Sequence, residues 1–373
     1  MRLWKRASGV LKDQNSIFLA TLTKRSPLRN PDVEAAVIKA TSHDEFSIDL
    51  KNSDGIYKWI RLSSSHLKPL VWSISNRMYR TRYWVVALKG LMLMHGVINC
   101  KASSVPKIGR LPFDLSNFKD GHDKPGKNWS HNAFVRAYYR FLDQKSIFVF
   151  QTYNGEGTGM RGRDAHHVFV IMHELVLLQK LQSLLDLLMQ IKPLSKAAMV
   201  PLVLEAMDRI IVEIFDVYGN ICRGIAMVLM NIYSSGKVEA TMALKIVQKA
   251  MIQGDQLTSY FEFCHDIGVV NSSELPCIER VPEEGIQELQ QIIKGFPEKS
   301  GDDGLLLNRQ EENAIVVMDS RNDFKTIITD NWEKFDEESS TEVPKNPFME
   351  ASLTIPLPQQ HHHQELPDLI SFL

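Results

Sequence analysis

The chain has 373 residues, of which 44% are hydrophobic and 23% charged, a composition ordinary for a soluble protein that buries a sizeable core. Its net charge of −1 conceals two unlike parts. Residues 296–373 carry 16 acidic and 6 basic residues, a net charge of −10, so residues 1–295 carry +9. The basic part favours polyanionic partners such as membrane headgroups, phosphates or nucleic acid. Charged residues interrupt both the most apolar region, 199–233, and the N-terminal apolar run, so we expect neither a transmembrane helix nor a signal peptide.

The first residues predict a basic amphipathic helix. Apolar residues between Leu3 and Phe18 fall on one side of a helical wheel. Such a helix can lie in a lipid interface, with its cations toward anionic headgroups. A helix packed on the domain, or a frayed terminus, is the alternative. The candidate membrane contacts are the cations on the other sides of the wheel: Arg2, Lys5, Arg6 and Lys12.

The next helices are predicted from their start signals. Asn30 can cap a helix and Pro31 suits the first helical position, which predicts a helix that runs to Ala40. A further helix is expected to begin at Asp54 and to direct side chains as far as Leu67 toward the core.

The sequence also predicts helices in the rest of the first 295 residues. Residues 83–98 are apolar nearly all round, a pattern typical of a central helix that is covered on every side. No alternating strand pattern flanked by hairpin turns occurs, so we predict an all-α array. The remaining predicted helices are 129–150, 164–191, 196–233 with breaks allowed within it, 237–252, 259–267 and 283–293.

Several short segments, in a fixed order, carry a resemblance to a known family. By chemistry alone, the Lys-Ala-Thr-Ser-His segment 39–43 could bind phosphate or be a solvated helix end. The other segments are 12–16, 84–89, 115–118, 134–138, 261–264 and 280–282. Together these segments resemble the ANTH domain of clathrin assembly proteins, most closely the plant branch, over about the first 295 residues.

The resemblance implies a fold, a function and a set of partners. The fold is an ENTH/ANTH-like superhelix of α-helices that docks on phosphatidylinositol bisphosphate membranes, followed by a tail that recruits clathrin and adaptor complexes. The helical part beyond the lipid site is implied to bind R-SNARE helices. No catalysis, cofactor, metal or nucleic acid is implied. The implied location is cytoplasmic and peripheral, on clathrin-coated pits and vesicles, with the Golgi as a further candidate.

The organisation that follows has four parts. They are a basic amphipathic segment, 1–23; an ENTH-like lipid-binding part, 24–160; the helical remainder of the ANTH domain, 161–295; and a largely disordered acidic tail, 296–373. A helical scaffold for SNARE or cargo binding that has lost lipid binding is the competing interpretation.

The implied lipid site departs from the family pattern, which is a lysine, nine residues, then Lys-x-Lys-His. Lys39 matches the first lysine and Lys51 the last, and His43 is taken as a supporting contact. Asp49 and Asn52 replace the other lysine and the histidine. An aspartate repels phosphate, so we expect weaker headgroup binding than in a relative with the full pattern.

The tail carries short apolar motifs. In Asn346-Pro347-Phe348 the Asn-Pro pair sets a turn and the phenylalanine fits an apolar slot, as EH-domain ligands require. The second motif resembles the coat-binding motifs of the family without matching their consensus; it is Asp368, Leu369 and Ile370.

Overall fold

A computed structural model describes residues 2–22, 24–121, 128–155, 163–231, 236–269 and 283–295. These residues lie in the first of two units into which the chain divides, Met1–Ser300 and Gly301–Leu373. Within the described ranges the regular structure is helical, which confirms the predicted fold class. The helices are α1 (Arg2–Thr21), α2 (Pro31–Ala40), α3 (Leu50–Leu62), α4 (Leu67–Arg80), α5 (Trp84–Asn99), α6 (Trp129–Gly155), α7 (Arg163–Met189), α8 (Pro201–Asn231), α9 (Lys237–Asp266) and α10 (Glu283–Gly295).

The start of α2 is as predicted, whereas the start of α3 is not. The Asn30 side chain accepts a hydrogen bond from the Asp32 backbone N–H, and Pro31 occupies the first turn. Helix α3 begins at Leu50, four residues before the predicted start at Asp54, because the Asp49 side chain caps it. Leu67 is not part of this helix either: an extended Ser63 and a short 3-10 turn separate it from α3, and it begins α4 instead.

Helix α5 is the centre of the fold, as the apolar run 83–98 predicts. Nearly all its side chains are buried, and it contacts α2, α3, α4, α6 and α8. Helix α3 approaches it very closely at Gly96. A Cβ atom on Gly96 would lie 2.0 Å from the Tyr57 hydroxyl oxygen on α3, so the missing side chain permits this approach.

The later helices pack on one another in chain order. Helix α7 packs on α8 and α9, and α10 packs on α9, which is typical of a superhelical array. The two separate helices predicted at 237–252 and 259–267 are wrong, because α9 runs through both. Gln253, beside the expected break, is buried and donates to the Gln182 carbonyl on α7 at 2.8 Å. This tertiary contact helps to hold the helix together there.

The acidic tail, residues 296–373, lies outside the described residues, and so does the predicted boundary at residue 160. The EH-domain and coat-binding motifs therefore stay predictions from the sequence. In the described residues no helix is both long and apolar enough to cross a membrane.

Candidate membrane-binding surface

Helix α1 packs on the domain with one side and exposes an apolar stripe on the other. Gly9 faces inward, and a Cβ atom there would lie 2.7 Å from the Cβ atom of His43. On the outward side Leu11 is 72% and Phe18 60% exposed. The two interpretations of this segment, a packed helix and a lipid-facing amphipathic helix, are thus compatible, because opposite sides of the helix serve them.

Asp13 fixes α1 to the domain. Its carboxylate accepts hydrogen bonds from the His43 backbone N–H at 2.8 Å and from Arg77 Nη2 at 2.7 Å, and His43 Nδ1 lies 2.8 Å from it. Burial alone would raise the pKa of Asp13, but the hydrogen bonds from His43 and Arg77 outweigh burial and lower it. His43 also stacks on the Tyr83 ring, with 5.5 Å between ring centroids. The histidine expected to support headgroup binding is therefore anchored by protein groups.

One flank of α1 borders a groove that contains Lys39. This Lys39 groove has a volume of about 360 Å³ and is lined on the α1 side by Val10, Asp13, Gln14 and Ile17. Lys39 stands exposed at the end of α2. The groove is also lined by three carboxylates, Asp13, Asp44 and Asp49. An anionic ligand in this groove would therefore meet more negative than positive charge.

Asp49 and Asn52, the two departures from the family pattern, form the cap of α3. Asp49 Oδ1 accepts from the Asn52 backbone N–H at 3.1 Å, and the Asn52 side-chain amide donates to Asp49 Oδ2 at 2.6 Å. This arrangement satisfies a backbone N–H that the helix start would otherwise leave without a partner. Lys51 is exposed in the first turn and lines neither groove beside α1.

A buried lysine gives these carboxylates a second role. The Lys89 side chain is fully buried, and its Nζ donates to the Ser42 hydroxyl at 3.2 Å. Desolvation lowers the pKa of Lys89, and the surrounding carboxylates oppose that shift. The carboxylates that oppose the shift are Asp44, Glu205, Asp13 and Asp49, and all but Glu205 line the Lys39 groove. The negative charge of this groove therefore also favours the charged form of a buried lysine in the core.

The other flank of α1 borders a larger groove, which we call the arginine groove. It lies between α1, α2 and α4 and has a volume of about 720 Å³. Among the described residues that line it, the one carboxylate is Glu34, which lies 3.2 Å from an Arg29 nitrogen. The Arg29 guanidinium carbon lies 4.7 Å from the centroid of the Trp72 ring. The described lining contains five lysine and arginine side chains: Lys12, Arg29, Arg77, Arg80 and Arg82.

The predicted site residues thus do not share one pocket. Lys39 lines the groove on one flank of α1, and His43 and Lys12 line the groove on the other flank. Lys51 lines neither groove. Arg2, Lys5 and Arg6 belong to α1, but the structure does not describe their side chains. Sequence reasoning missed the α4 arginines. Their signal was present in the closely spaced arginines of residues 77–82.

The described residues were also compared with what a metal ion requires. Groups of histidine, cysteine, aspartate or glutamate that could hold a metal ion are absent there. What the surface offers is an outward apolar stripe between two grooves of opposite charge character. Such an arrangement is suited to binding an anionic surface.

Comparisons with known proteins identify the family to which the chain is similar. The model of the ANTH domain family matches residues 32–295. An Arabidopsis thaliana protein named "Putative clathrin assembly protein" is 46% identical over 339 residues, covering 91% of this chain and 88% of its own length. A second protein with the same kind of name and from the same organism is 44% identical over 344 residues, covering 91% and 89%. The clathrin coat assembly protein AP180 of Arabidopsis thaliana is 30% identical over 335 residues, covering 80% of this chain and 51% of its own length.

Proposed function

Because the chain belongs to the ANTH-domain family of clathrin assembly proteins, we propose that it is a non-enzymatic clathrin adaptor that binds membranes peripherally. In this proposal the helical residues 1–295 bind membranes containing phosphatidylinositol bisphosphate. The acidic tail recruits clathrin, adaptor complexes and EH-domain proteins through several weak motifs whose avidity adds up. Its place is the cytoplasmic side of clathrin-coated pits and vesicles, with the Golgi as a further candidate compartment.

The outward stripe of α1 is the observation that carries membrane binding. An isolated exposed apolar side chain is ordinary on a protein surface, but Leu11 and Phe18 are two turns apart on the same side of one helix. The helix is also anchored to the domain through Asp13, so its outward side is held in a fixed orientation. A fixed apolar stripe beside cationic side chains favours insertion between the headgroups of an anionic bilayer.

Liposome sedimentation of the full chain tests this proposal. The variant Leu11→Ser/Phe18→Ser removes the stripe, and Met230→Ser/Val238→Ser is the matched control, since those residues on α8 and α9 are 68% and 67% exposed. We expect wild type and control to sediment with bisphosphate-containing liposomes and to be released by salt, whereas the stripe variant stays in solution. Equal sedimentation of both variants contradicts the role of α1.

The tail motifs are tested in the full chain by capture from cytosol. Phe348→Ala is expected to lose EH-domain proteins, because the phenylalanine is the residue that fills the pocket. Leu369→Ala/Ile370→Ala is expected to lose clathrin or adaptor complexes. Retention of every partner by both variants would assign recruitment to another segment.

A second candidate function is a helical scaffold that binds an R-SNARE or cargo helix through residues 161–295 without binding lipid. The observation that favours it is the acidic Lys39 groove, in which Asp49 is committed to capping α3. Lipid dependence separates the two candidates. The scaffold binds its partner helix in solution and does not sediment with bisphosphate liposomes at any salt concentration.

A further inference from the structure

The two grooves that flank α1 differ sharply in charge. Among the described residues that line them, the Lys39 groove sets one lysine against three carboxylates, of which Asp13 is paired with Arg77. The arginine groove sets five lysine and arginine side chains, Arg77 included, against the carboxylate of Glu34. Because Coulomb energy favours an anion where positive charge exceeds negative charge, a phosphorylated ligand is attracted to the arginine groove and repelled from the Lys39 groove. The charge contrast therefore points to the flank opposite the residue that the family pattern indicates.

The cations of the arginine groove differ in whether other side chains already hold them. Arg77 is held by Asp13 and by the Thr41 carbonyl at 2.9 Å, and Arg29 is paired with Glu34. Lys12 and Arg80 are exposed, and within the part of the chain that the structure describes neither has a carboxylate partner. They project from α1 and from the end of α4, so a ligand between the two helices can contact both.

The groove also offers uncharged donors and sufficient room. The side-chain amides of Asn15 on α1 and Asn76 on α4 line it together with the cations. Several charged and amide donors around one cavity suit a ring that carries more than one phosphate, since each phosphate presents three acceptor oxygens. The volume of about 720 Å³ is in the range of small-ligand sites.

The position of the groove relative to α1 fits a ligand at the bilayer surface. At 100° per residue, Lys12 and Asn15 lie on one side of the Leu11 and Phe18 stripe, and the residues of the Lys39 groove lie on the other. A bilayer that receives the stripe therefore has its headgroups beside the open edge of the arginine groove.

We propose that the phosphorylated inositol headgroup binds in the arginine groove, with Lys12 and Arg80 as its contacting cations, rather than on the Lys39 side of α1. This inference rests on the proposed membrane function and gives that function a specific site. The shared ligand chemistry is an inositol ring with several phosphates, and its source is either a membrane lipid or a soluble inositol phosphate.

The test compares two double variants of the full chain that remove the same charge. Lys12→Gln/Arg80→Gln neutralises the groove, and Lys39→Gln/Lys51→Gln neutralises the residues of the family pattern. All four side chains are exposed, so thermal unfolding should remain as in wild type. We expect the groove variant to bind bisphosphate liposomes about 10- to 100-fold more weakly than wild type, and the Lys39/Lys51 variant to change by less than about threefold. An equal or larger loss in the Lys39/Lys51 variant overturns the proposal.

Calorimetric titration with soluble inositol trisphosphate separates the source of the ligand. Binding that the groove variant weakens shows that the phosphorylated ring suffices, whereas a loss confined to liposomes assigns the groove to the lipid-bound headgroup; both results support the groove. Should wild type fail to sediment with liposomes, the proposed membrane function fails. In that case the titration with soluble inositol trisphosphate alone tests the arginine groove. Either no binding by wild type, or equal binding by wild type and the groove variant, overturns the proposal.

Discussion

His95 Nε2 lies 3.0 Å from Glu213 Oε2 in the interior of the protein, and this contact joins α5 to α8. Lys145 on α6 lies 2.5 Å from the same carboxylate and donates to Asn99 Oδ1 at 2.6 Å. On the other side of the ring, His95 Nδ1 lies 2.8 Å from the Tyr138 hydroxyl. Burial would raise the pKa of Glu213, but His95 and Lys145 outweigh burial and hold that pKa far below its ordinary value. Three helices are thus tied together by one buried charged network.

Removal of the Glu213 carboxylate should destabilise the protein strongly. In Glu213→Ala the Lys145 ammonium stays buried without its partner, and such a loss costs about 3–5 kcal/mol of the free energy of unfolding. Urea denaturation of the full chain measures the change. The double variant Lys145→Met/Glu213→Leu, which removes both charges, should recover most of the stability. A single variant as stable as wild type would contradict the role of the network.

The contact between Asp13 and its partners predicts a dependence on pH. Because the pKa of Asp13 is lowered in the fold, its charged form contributes stability that is fully present above its ordinary value of 3.8 and is lost as the pH falls through the folded value. Asp13→Asn should therefore be less stable than wild type at pH 7, by about 1–3 kcal/mol, and this difference should shrink below about pH 4. Thermal unfolding across this range measures both stabilities. A difference that stays constant would mean that shape, not charge, matters at this position.

The sequence predicted those parts of the fold that depend on local pattern. Helix α5 followed from the apolar run 83–98, and α2 followed from Asn30 and Pro31, because caps and periodicity act within a few residues. The start of α3 was missed because residues 51–55, near its N-terminus, contain no apolar side chain whose spacing would indicate a helix. The continuity of α9 depends on contacts with α7 that no local pattern contains.

The candidate site was predictable only in part, and for the same reason. The basic amphipathic character of α1 is local, so the sequence indicated both its stripe and Lys12. Lys39 and His43 are close in sequence, yet they line opposite flanks of α1, because His43 lies beyond the end of α2 and is turned toward Asp13. The arginine groove forms because α1 and α4 both pack on α2. The closely spaced arginines of residues 77–82 could be seen in the sequence, but their position beside α1 could not.

Gly96 tests the close approach of α3 to α5, and Gly55 serves as a comparison in open space. A methyl group on Gly96 would meet the Tyr57 ring, because the added carbon would lie 2.0 Å from the hydroxyl oxygen and 2.3 Å from Cζ. Since an aromatic ring moves only as a unit, Gly96→Ala should cost about 1–3 kcal/mol through overpacking. Gly55 on α3 has open space around it, so Gly55→Ala should stabilise the helix by about 0.5–1 kcal/mol. Chemical denaturation of both variants checks the opposite signs, and a stabilising Gly96→Ala would contradict the close packing.

Asp49 combines a capping role with a charge that repels phosphate, and two substitutions separate these effects. Asp49→Ser removes the charge but keeps a capping oxygen, whereas Asp49→Lys adds a cation and loses the cap that now binds the Asn52 N–H. We expect Asp49→Lys to lower the free energy of unfolding by about 0.5–2 kcal/mol and Asp49→Ser to leave it nearly unchanged.

Both variants should bind bisphosphate liposomes more tightly than wild type, with Asp49→Lys the tighter, since each step removes repulsion beside Lys39. Denaturation and sedimentation measure the two effects separately, and unchanged sedimentation of Asp49→Lys would show that this flank of α1 does not face the bilayer.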